Sequence, residues 1–217
     1  MITIIDYKAG NLTSVQLAFE SIGQKVKITD KPEEILCAKK IVFPGVGAAK
    51  AAMDSLKELK LIEPIRQKIA EGVPFLGICI GMQVLFESSE EDGGTQCLGI
   101  LPGKVKKFKS PDKSCKIPQI GWNTVKIASK HPIFENIDDQ SEFYFVDSFY
   151  PDCADKKDMI GQTQYADANF ASVAGNKNLV STQFHPERSG RIGLRLLENF
   201  TRWDGTLATE NTEDTEK

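Results

Sequence analysis

Short apolar runs alternate with amphipathic stretches through the first half of the chain. Ile2–Ile5 is an apolar run that ends at Asp6 and predicts a strand. A turn starts at Gly10 and Asn11. Leu12, Val15, Leu17, Ala18 and Ile22 then fall at helical spacing, closed by Gly23. Residues 25–28 and 40–43 predict two more strands, the later one ended by Pro44 and Gly45. A long helical pattern follows over residues 48–71, with a break expected near Pro64 and a stop at Gly72. Residues 73–78 (VPFLGI) predict a buried strand, with Pro74 tolerable at its start. Helical spacing returns over 81–88. Strand–helix alternation of this kind predicts a mainly parallel sheet covered on both faces.

The second half reads differently. Residues 103–108, 123–127, 143–149, 159–165, 170–174 and 179–184 all predict strands, and few helical stretches separate them. Gly175 and Asn176 fit a hairpin turn. An antiparallel or mixed extension within the same domain is expected. Residues 190–203 return to helix, with Ile192, Leu194, Leu196, Leu197 and Phe200 as an apolar stripe that packs back on the sheet.

Composition narrows the function classes. The 217 residues are 41 % apolar and 26 % charged, as in a soluble globular protein with a real core. Residues 1–203 are expected to form one domain, and 204–217 an acidic, disordered tail. The tail carries five acids and one Lys, more than the whole chain's net charge of −3. No basic excess suggests a nucleic-acid partner. Five cysteines without a CxxC pair argue against a disulfide scaffold or zinc ribbon, and two histidines exclude an all-His metal site. No signal-peptide pattern and no apolar run of about 20 residues is present, so a cytoplasmic location is expected.

Candidate chemistry centres on Cys79. The strand 73–78 runs straight into it, and Gly77 and Gly81 stand two residues away on each side. This is the G-x-nucleophile-x-G arrangement of a nucleophile elbow, with Cys in place of Ser. Such a turn presents the thiol at the sheet's carboxyl edge and at a helix N-terminus, which favours a thiolate. The Ile80 N–H then faces a developing oxyanion. Taken alone, the same residue also fits a buried structural cysteine. His131 and His185 are the two imidazoles that can serve as base. His185 follows strand 179–184 directly, Pro186 breaks that strand, and Glu187 lies two positions on, where it can orient the ring. Each of the pair also fits a bland role, His185 as a core-edge residue and Glu187 as a surface acid. A second glycine cluster, Pro44-Gly45-Val46-Gly47, follows another strand, so its backbone N–H groups can reach the thiol; an ordinary strand-to-helix turn reads the same way.

These motifs coincide in one family. PGVG at 44–47, GICIGMQ at 77–83 and QFHPERSG at 183–190 resemble class I (triad-type) glutamine amidotransferases. DYKAGNLTSV at 6–15, PQIGWN at 118–123 and YFVDSFY at 144–150 resemble, more narrowly, the glutaminase subunit of imidazole glycerol phosphate synthase. The resemblance covers residues 1–203. It implies an α/β fold with a central, mostly parallel sheet flanked by helices and an antiparallel extension. It implies glutamine hydrolysis through a thioester on Cys79, with His185 as base and Glu187 behind it. Val46 and Ile80 would form the oxyanion hole, with Gly47, Gln83, Glu91, Ser148 and Phe149 around the substrate. Glu91 would face the α-amino group, and the loop at Val46 would rearrange before its donor points inward. No cofactor or metal is implied. The implied partner is a (β/α)8-barrel cyclase subunit that receives the ammonia in a heterodimer and makes imidazole glycerol phosphate. Asn11, Gln119, Trp122, Asn123, Asp147 and Arg188 would lie at or near that interface; Trp122 also fits a half-buried packing residue.

Four positions depart from the family pattern. Relatives usually carry Gly at Lys8, His at Gln119, His at Asp147 and Lys at Arg188. Asp147 and Arg188, being of opposite charge, suggest a compensating pair. Three other readings keep the same residues: a paralogue feeding a different synthase, a non-catalytic binding or regulatory subunit, and a free-standing cysteine hydrolase.

Overall fold

The computed structural model describes residues 1–8, 11–110 and 115–207. Gly10 and the tail from residue 208 lie outside them. Five strands build a parallel half-sheet: β1 (Ile2–Ile5), β2 (Val26–Thr29), β3 (Ile41–Gly45), β4 (Phe75–Cys79) and β13 (Leu179–Thr182), in the order β2-β1-β3-β4-β13. Every residue of β1, β3, β4 and β13 is buried, as expected of strands covered on both faces. The sheet continues without a break through β12 (Ala168–Asn176), β11 (Met159–Tyr165), β8 (Gln119–Ile127) and β9 (Ser141–Asp147), all antiparallel. Four pairings are parallel and four antiparallel, so the parallel sheet carries an antiparallel extension of equal size. A smaller sheet, β10-β7-β5-β6, is made of β5 (Ser88–Ser89), β6 (Thr95–Gln96), β7 (Gly103–Lys107) and β10 (Phe149–Cys153).

Six helices accompany the strands among the described residues. They are α1 (Leu12–Ser21), α2 (Pro32–Leu36), α3 (Ala49–Glu58), α4 (Ile62–Ala70), α5 (Ile80–Gln83) and α6 (Gly190–Arg202). Leu196, Leu197 and Phe200 on α6 are fully buried, each contributing about 1.5–3 kcal/mol of apolar burial. Lys40 closes that helix: its Nζ donates to the carbonyls of Phe200, Thr201 and Trp203 at 2.9, 2.8 and 2.5 Å. A cation placed on the free carbonyls of a last turn meets both their hydrogen-bonding need and the helix dipole.

The structure moves several predicted boundaries. The 48–71 helix breaks at Lys60, which takes a left-handed φ of 56°, and not at Pro64. Pro64 lies in the first turn of α4, where its missing N–H costs nothing. Helix 81–88 stops after one turn. The carbonyls of Val84, Leu85 and Phe86 accept from the N–H groups of Leu98, Ile100, Leu101 and Gly99 instead of continuing the helix. The predicted strand 143–149 is two strands that change sheets at Ser148. The hairpin turn falls on Lys177, with φ 54°, and Asn178, because Gly175 and Asn176 still pair with β13. Residues 204–207 stay tied to the fold, since the Trp203 indole N–H donates to the Thr206 carbonyl at 2.6 Å.

This topology positions a site. β4 has β3 on one side and β13 on the other, both parallel to it. Gly45 pairs with Cys79, and Thr182 pairs with Ile78, so both neighbouring strands end level with Cys79.

Candidate active site

Cys79 is the last residue of β4 and the N-cap of α5, with φ 54° and ψ −110°. A non-glycine residue at positive φ outside a turn is strained, and such strain concentrates at working sites. The flanking glycines explain why the turn closes. A Cβ at Gly81 would stand 1.7 Å from the Phe43 carbonyl oxygen, and one at Gly77 would stand 2.6 Å from the Gly81 carbonyl oxygen. Both positions are therefore filled by neighbouring backbone, and the thiol is turned toward a pocket.

That pocket has a volume of about 320 Å³. Cys79 lines it with Val46, Gly47, Ile80 and Gln83 from the parallel half and with Glu91 from the segment between β5 and β6. Asp147, Ser148 and Phe149 close it from the junction of β9 and β10. His185 and Arg188 complete the wall from the turn after β13. Eleven of the residues singled out in the sequence thus come together. Glu187 stands behind His185, with its Oε1 at 2.8 Å from the imidazole Nδ1 and both side chains almost fully buried. The His185 N–H donates to the Tyr144 carbonyl at 2.9 Å, which fastens this turn to β9.

Burial alone would discharge the His185 imidazole. Hydrogen bonds and opposite charge from Cys79 and Glu187 outweigh it and push its pKa up to about 10. Its other nitrogen therefore faces the thiol side of a charged, oriented ring. His131 takes no part. It is buried against Trp203, ring centroids 4.8 Å apart, and its Nδ1 accepts from the Ile133 N–H at 3.0 Å. Burial lowers its pKa to about 4.

The pocket floor is hydrogen-bonded. Gln83 Nε2 donates to the Phe149 carbonyl at 3.2 Å and to Gln183 Oε1 at 3.0 Å. Gln183 Nε2 in turn points to Cys79 Sγ at 3.8 Å. Gln183 is fully buried and was not singled out in the sequence. The signal was present: it stands two residues before His185 in QFHPE, the spacing that puts two extended residues on one face. Tyr7, also fully buried, donates from its hydroxyl to the Val46 carbonyl at 3.3 Å and so anchors the PGVG loop. Burial raises the Tyr7 pKa and keeps it a donor. Glu91 Oε2 accepts the Ala49 N–H at 2.6 Å, bridging to the first turn of α3. Burial raises its pKa, against the pull of that hydrogen bond.

The remaining interface candidates lie apart from the pocket. Asn11 caps α1, its side chain accepting the Ser14 N–H at 3.4 Å. Asn123 donates to the Gln164 carbonyl at 3.0 Å. Trp122 is 54 % exposed and meets Tyr144 edge-on at 5.9 Å. Arg188, which does line the pocket, lies over the Tyr144 ring, with its guanidinium 4.9 Å from the centroid. It makes no ion pair with Asp147, so the suggested pairing does not form within the chain. Gln119 is buried directly opposite Asp147 across β8 and β9. Two of the four departures from the family pattern are therefore cross-strand partners. Among the described residues, no His/Cys/Asp/Glu cluster could hold a metal ion, and no helix is long and apolar enough to cross a membrane.

A strained cysteine between a glycine pair, an imidazole beside it and a buried carboxylate behind define the triad-type amidotransferases, and the family model for class-I glutamine amidotransferases matches residues 3–203. A crystal structure of a glutamine amidotransferase superposes with a TM-score of 0.73 at 15 % identity, covering 95 % of this chain and 100 % of that one. The glutaminase domain of Trypanosoma brucei CTPS with bound acivicin gives 0.64 at 14 % identity, covering 95 % and 97 %. Likeness at that identity concerns the fold. Within this class the chain belongs to the family of the imidazole glycerol phosphate synthase subunit HisH. The subunit of Dehalococcoides mccartyi strain CBDB1 is 48 % identical over 200 residues, covering 92 % of this chain and 96 % of that protein. That of Methanocaldococcus jannaschii is 50 % identical over 200 residues, covering 92 % and 98 %.

Proposed function

We propose that this chain hydrolyses glutamine to glutamate and ammonia and passes the ammonia to a (β/α)8-barrel cyclase subunit in the cytoplasm, for imidazole glycerol phosphate synthesis. The observation that carries the reading is Cys79, strained at φ 54° inside the pocket, beside an imidazole whose far nitrogen is held by Glu187 at 2.8 Å. The glutamine side-chain amide enters against Cys79. The proton of the thiol–imidazole pair rests on His185, and the sulfur attacks the amide carbon. The N–H of Ile80, at the start of α5, and that of Val46 stabilise the oxyanion. His185 gives its proton to the leaving nitrogen, and ammonia departs. Neutral His185 then takes a proton from water, which opens the thioester to glutamate. Glu187 holds the ring through both steps and stabilises its charged form. Gln183 and Gln83 support the floor beneath the thiol. Gly47, Glu91, Ser148 and Phe149 frame the amino-acid end of the substrate, with Glu91 as the acceptor for its α-amino group. Trp122 presents an aromatic anchor to the partner. Residues 1–203 form the catalytic domain, and the acidic segment beyond it takes no part in the chemistry.

The test is glutamate release by the purified chain, alone and with the cyclase barrel and its ribulose-phosphate ligand. Release that rises with the loaded partner and disappears in Cys79→Ala is the expected result. The loss in that variant should be at least about 10³-fold, the scale on which a nucleophile contributes. Release at the original rate in Cys79→Ala would sink the mechanism. Equal rates with and without the barrel would make the chain an independent hydrolase.

A further inference from the structure

Asp147, in the pocket lining, and Gln119, its cross-strand neighbour, carry oxygen atoms that nothing among the described residues satisfies. Asp147 is 5 % exposed and Gln119 is 3 % exposed. Both carboxyl oxygens of Asp147 and the Oε1 of Gln119 are buried without a hydrogen-bond partner. The two residues are directly paired on neighbouring antiparallel strands, so their side chains share one face. Asp147 also lines the pocket with Cys79 and His185. A buried acceptor without a partner costs about 1–3 kcal/mol, so three together are a standing demand for N–H or O–H donors. The nearby cation does not answer it, because Arg188 lies on the Tyr144 ring.

We propose that Asp147 and Gln119 form a subsite for the ammonia released at Cys79, which they hold as ammonium; this rests on the glutaminase reading above. With Asp147 ionised, its two oxygens and the Gln119 Oε1 are all acceptors, which suits a small group with several N–H donors and rejects the acceptor-only carboxylate of the amino-acid substrate. Burial raises the Asp147 pKa well above the usual carboxylate range, against the pull of His185, which favours the neutral carboxyl in the empty site. Ammonia leaves the thioester as a neutral molecule. The Asp147 O–H bond then breaks and a fourth N–H bond forms, leaving a carboxylate–ammonium pair. When the ammonium departs, the carboxylate recovers a proton from water. Besides His185 and Arg188, the titratable groups lining the pocket are the Cys79 thiol and Glu91, and the Tyr165 phenol senses Asp147 electrostatically. The Tyr165 hydroxyl is already committed to the Lys116 carbonyl at 2.6 Å.

The experiment uses the full chain carrying Cys79→Ala, so that no turnover is needed. Ammonium chloride is titrated into ¹⁵N-labelled protein while the amide shifts around residues 119 and 147 are followed. Potassium chloride and tetramethylammonium chloride serve as probes that carry charge but no N–H donor. Saturable shifts with ammonium alone, weakened at least about tenfold by adding Asp147→Asn and less by Gln119→Met, are expected; one charge-assisted hydrogen bond is worth that much. Equal shifts with potassium, or an unchanged ammonium affinity in the Asp147→Asn background, would overturn the proposal. So would an Asp147→Asn effect on glutamine binding as large as that on ammonium, because the acceptors would then serve the substrate's own α-ammonium. Glutamate release by the unaltered chain separates the two readings. Turnover without ammonium binding removes only the subsite, whereas ammonium binding without turnover removes the glutaminase reading.

Discussion

The parallel half of the sheet builds its share of the pocket from backbone, and the antiparallel half builds its share from side chains. At Cys79 the decisive contacts are between main chains: Gly81 against the Phe43 carbonyl, Gly77 against the Gly81 carbonyl, and Gly45 level with Cys79. No rotamer change can relax them. On the other wall the β9–β10 junction presents Asp147, Ser148 and Phe149, and Asp147 and Gln119 keep unmet hydrogen-bonding capacity. The nucleophile thus stands on the rigid half, and the wall facing it comes from strands that end in exposed positions such as Ile120 and Trp122. The difference separates two requirements. Attack on an amide needs a fixed geometry within a fraction of an ångström. Product departure and partner contact need a surface whose chemistry can vary without disturbing that geometry.

One glycine from each half tests this most severely. Gly81→Ala must displace the Phe43 carbonyl or move the elbow, because its Cβ would lie 1.7 Å from that oxygen. The expected loss of stability is about 3 kcal/mol or more, read by denaturant unfolding. Gly121, in β8, has φ 139° and nothing within 4 Å of a Cβ. Gly121→Ala therefore pays backbone strain alone, about 1 kcal/mol. Similar losses in the two variants would mean that the parallel half is no more tightly constrained than the antiparallel one.

The two histidines extend the comparison to pH, with opposite signs. His185 belongs to the turn after β13, and its folded pKa of about 10 lies above the ordinary 6.5. Its pairing contributes stability that is fully present below about pH 6.5 and is lost as pH rises toward 10. Glu187→Gln leaves the Nδ1 hydrogen bond an acceptor but removes the charge. The expected cost is about 2 kcal/mol near pH 6, shrinking toward pH 10. Thermal unfolding of both proteins across that range reads it, and a pH-independent gap would mean that the ring is not held charged in the folded state.

His131, between β8 and β9, behaves in reverse. Its folded pKa of about 4 lies below 6.5, so the unfolded chain takes up a proton that the folded chain refuses as pH falls from 6.5 to 4. His131→Asn keeps an acceptor for the Ile133 N–H but loses the ring contact with Trp203. It should cost about 1 kcal/mol at pH 7. That deficit should close at about pH 6 and reverse below it, because Asn has no charge to gain while the native histidine loses about 1.4 kcal/mol per unit of pKa difference. A deficit that widens on acidification would assign the acid sensitivity to another group.

The same division governs what the sequence reveals. The elbow is legible because the glycines that allow it must stand at fixed spacing around Cys79, and His185 with Glu187 follows from a strand stopped by Pro186. Backbone constraints leave marks in residue type. The antiparallel wall leaves fewer. Phe143, Phe145 and Phe149 keep strand alternation across Ser148, so nothing in the pattern marks the change of sheet there. Val84, Leu85 and Phe86 look helical because they are apolar, yet their carbonyls are claimed by a loop twelve or more residues away. The burial of Asp147 is equally invisible, since an Asp in a strand reads as solvent-facing until the cross-strand partner is known.

The smallest effect is expected at Trp122. Its ring is 54 % exposed and meets edge-on the ring of Tyr144, which also carries the Arg188 guanidinium. Removing it forfeits little burial, and Tyr144 keeps its other neighbours. Trp122→Ala should therefore change unfolding free energy by no more than about 0.5 kcal/mol, within the range of ordinary surface substitutions. The parallel half offers no large aromatic side chain so exposed: Phe43 and Phe75 are completely buried, and truncating either would cost about 3–5 kcal/mol. A stability loss at Trp122 approaching that of a core Phe would show that the exposed end of β8 is part of the folding core. It would erase the distinction between a rigid half that fixes the nucleophile and a wall free to vary. A near-neutral result would leave Trp122 with an exposed indole whose retention stability does not explain, as an interface anchor requires.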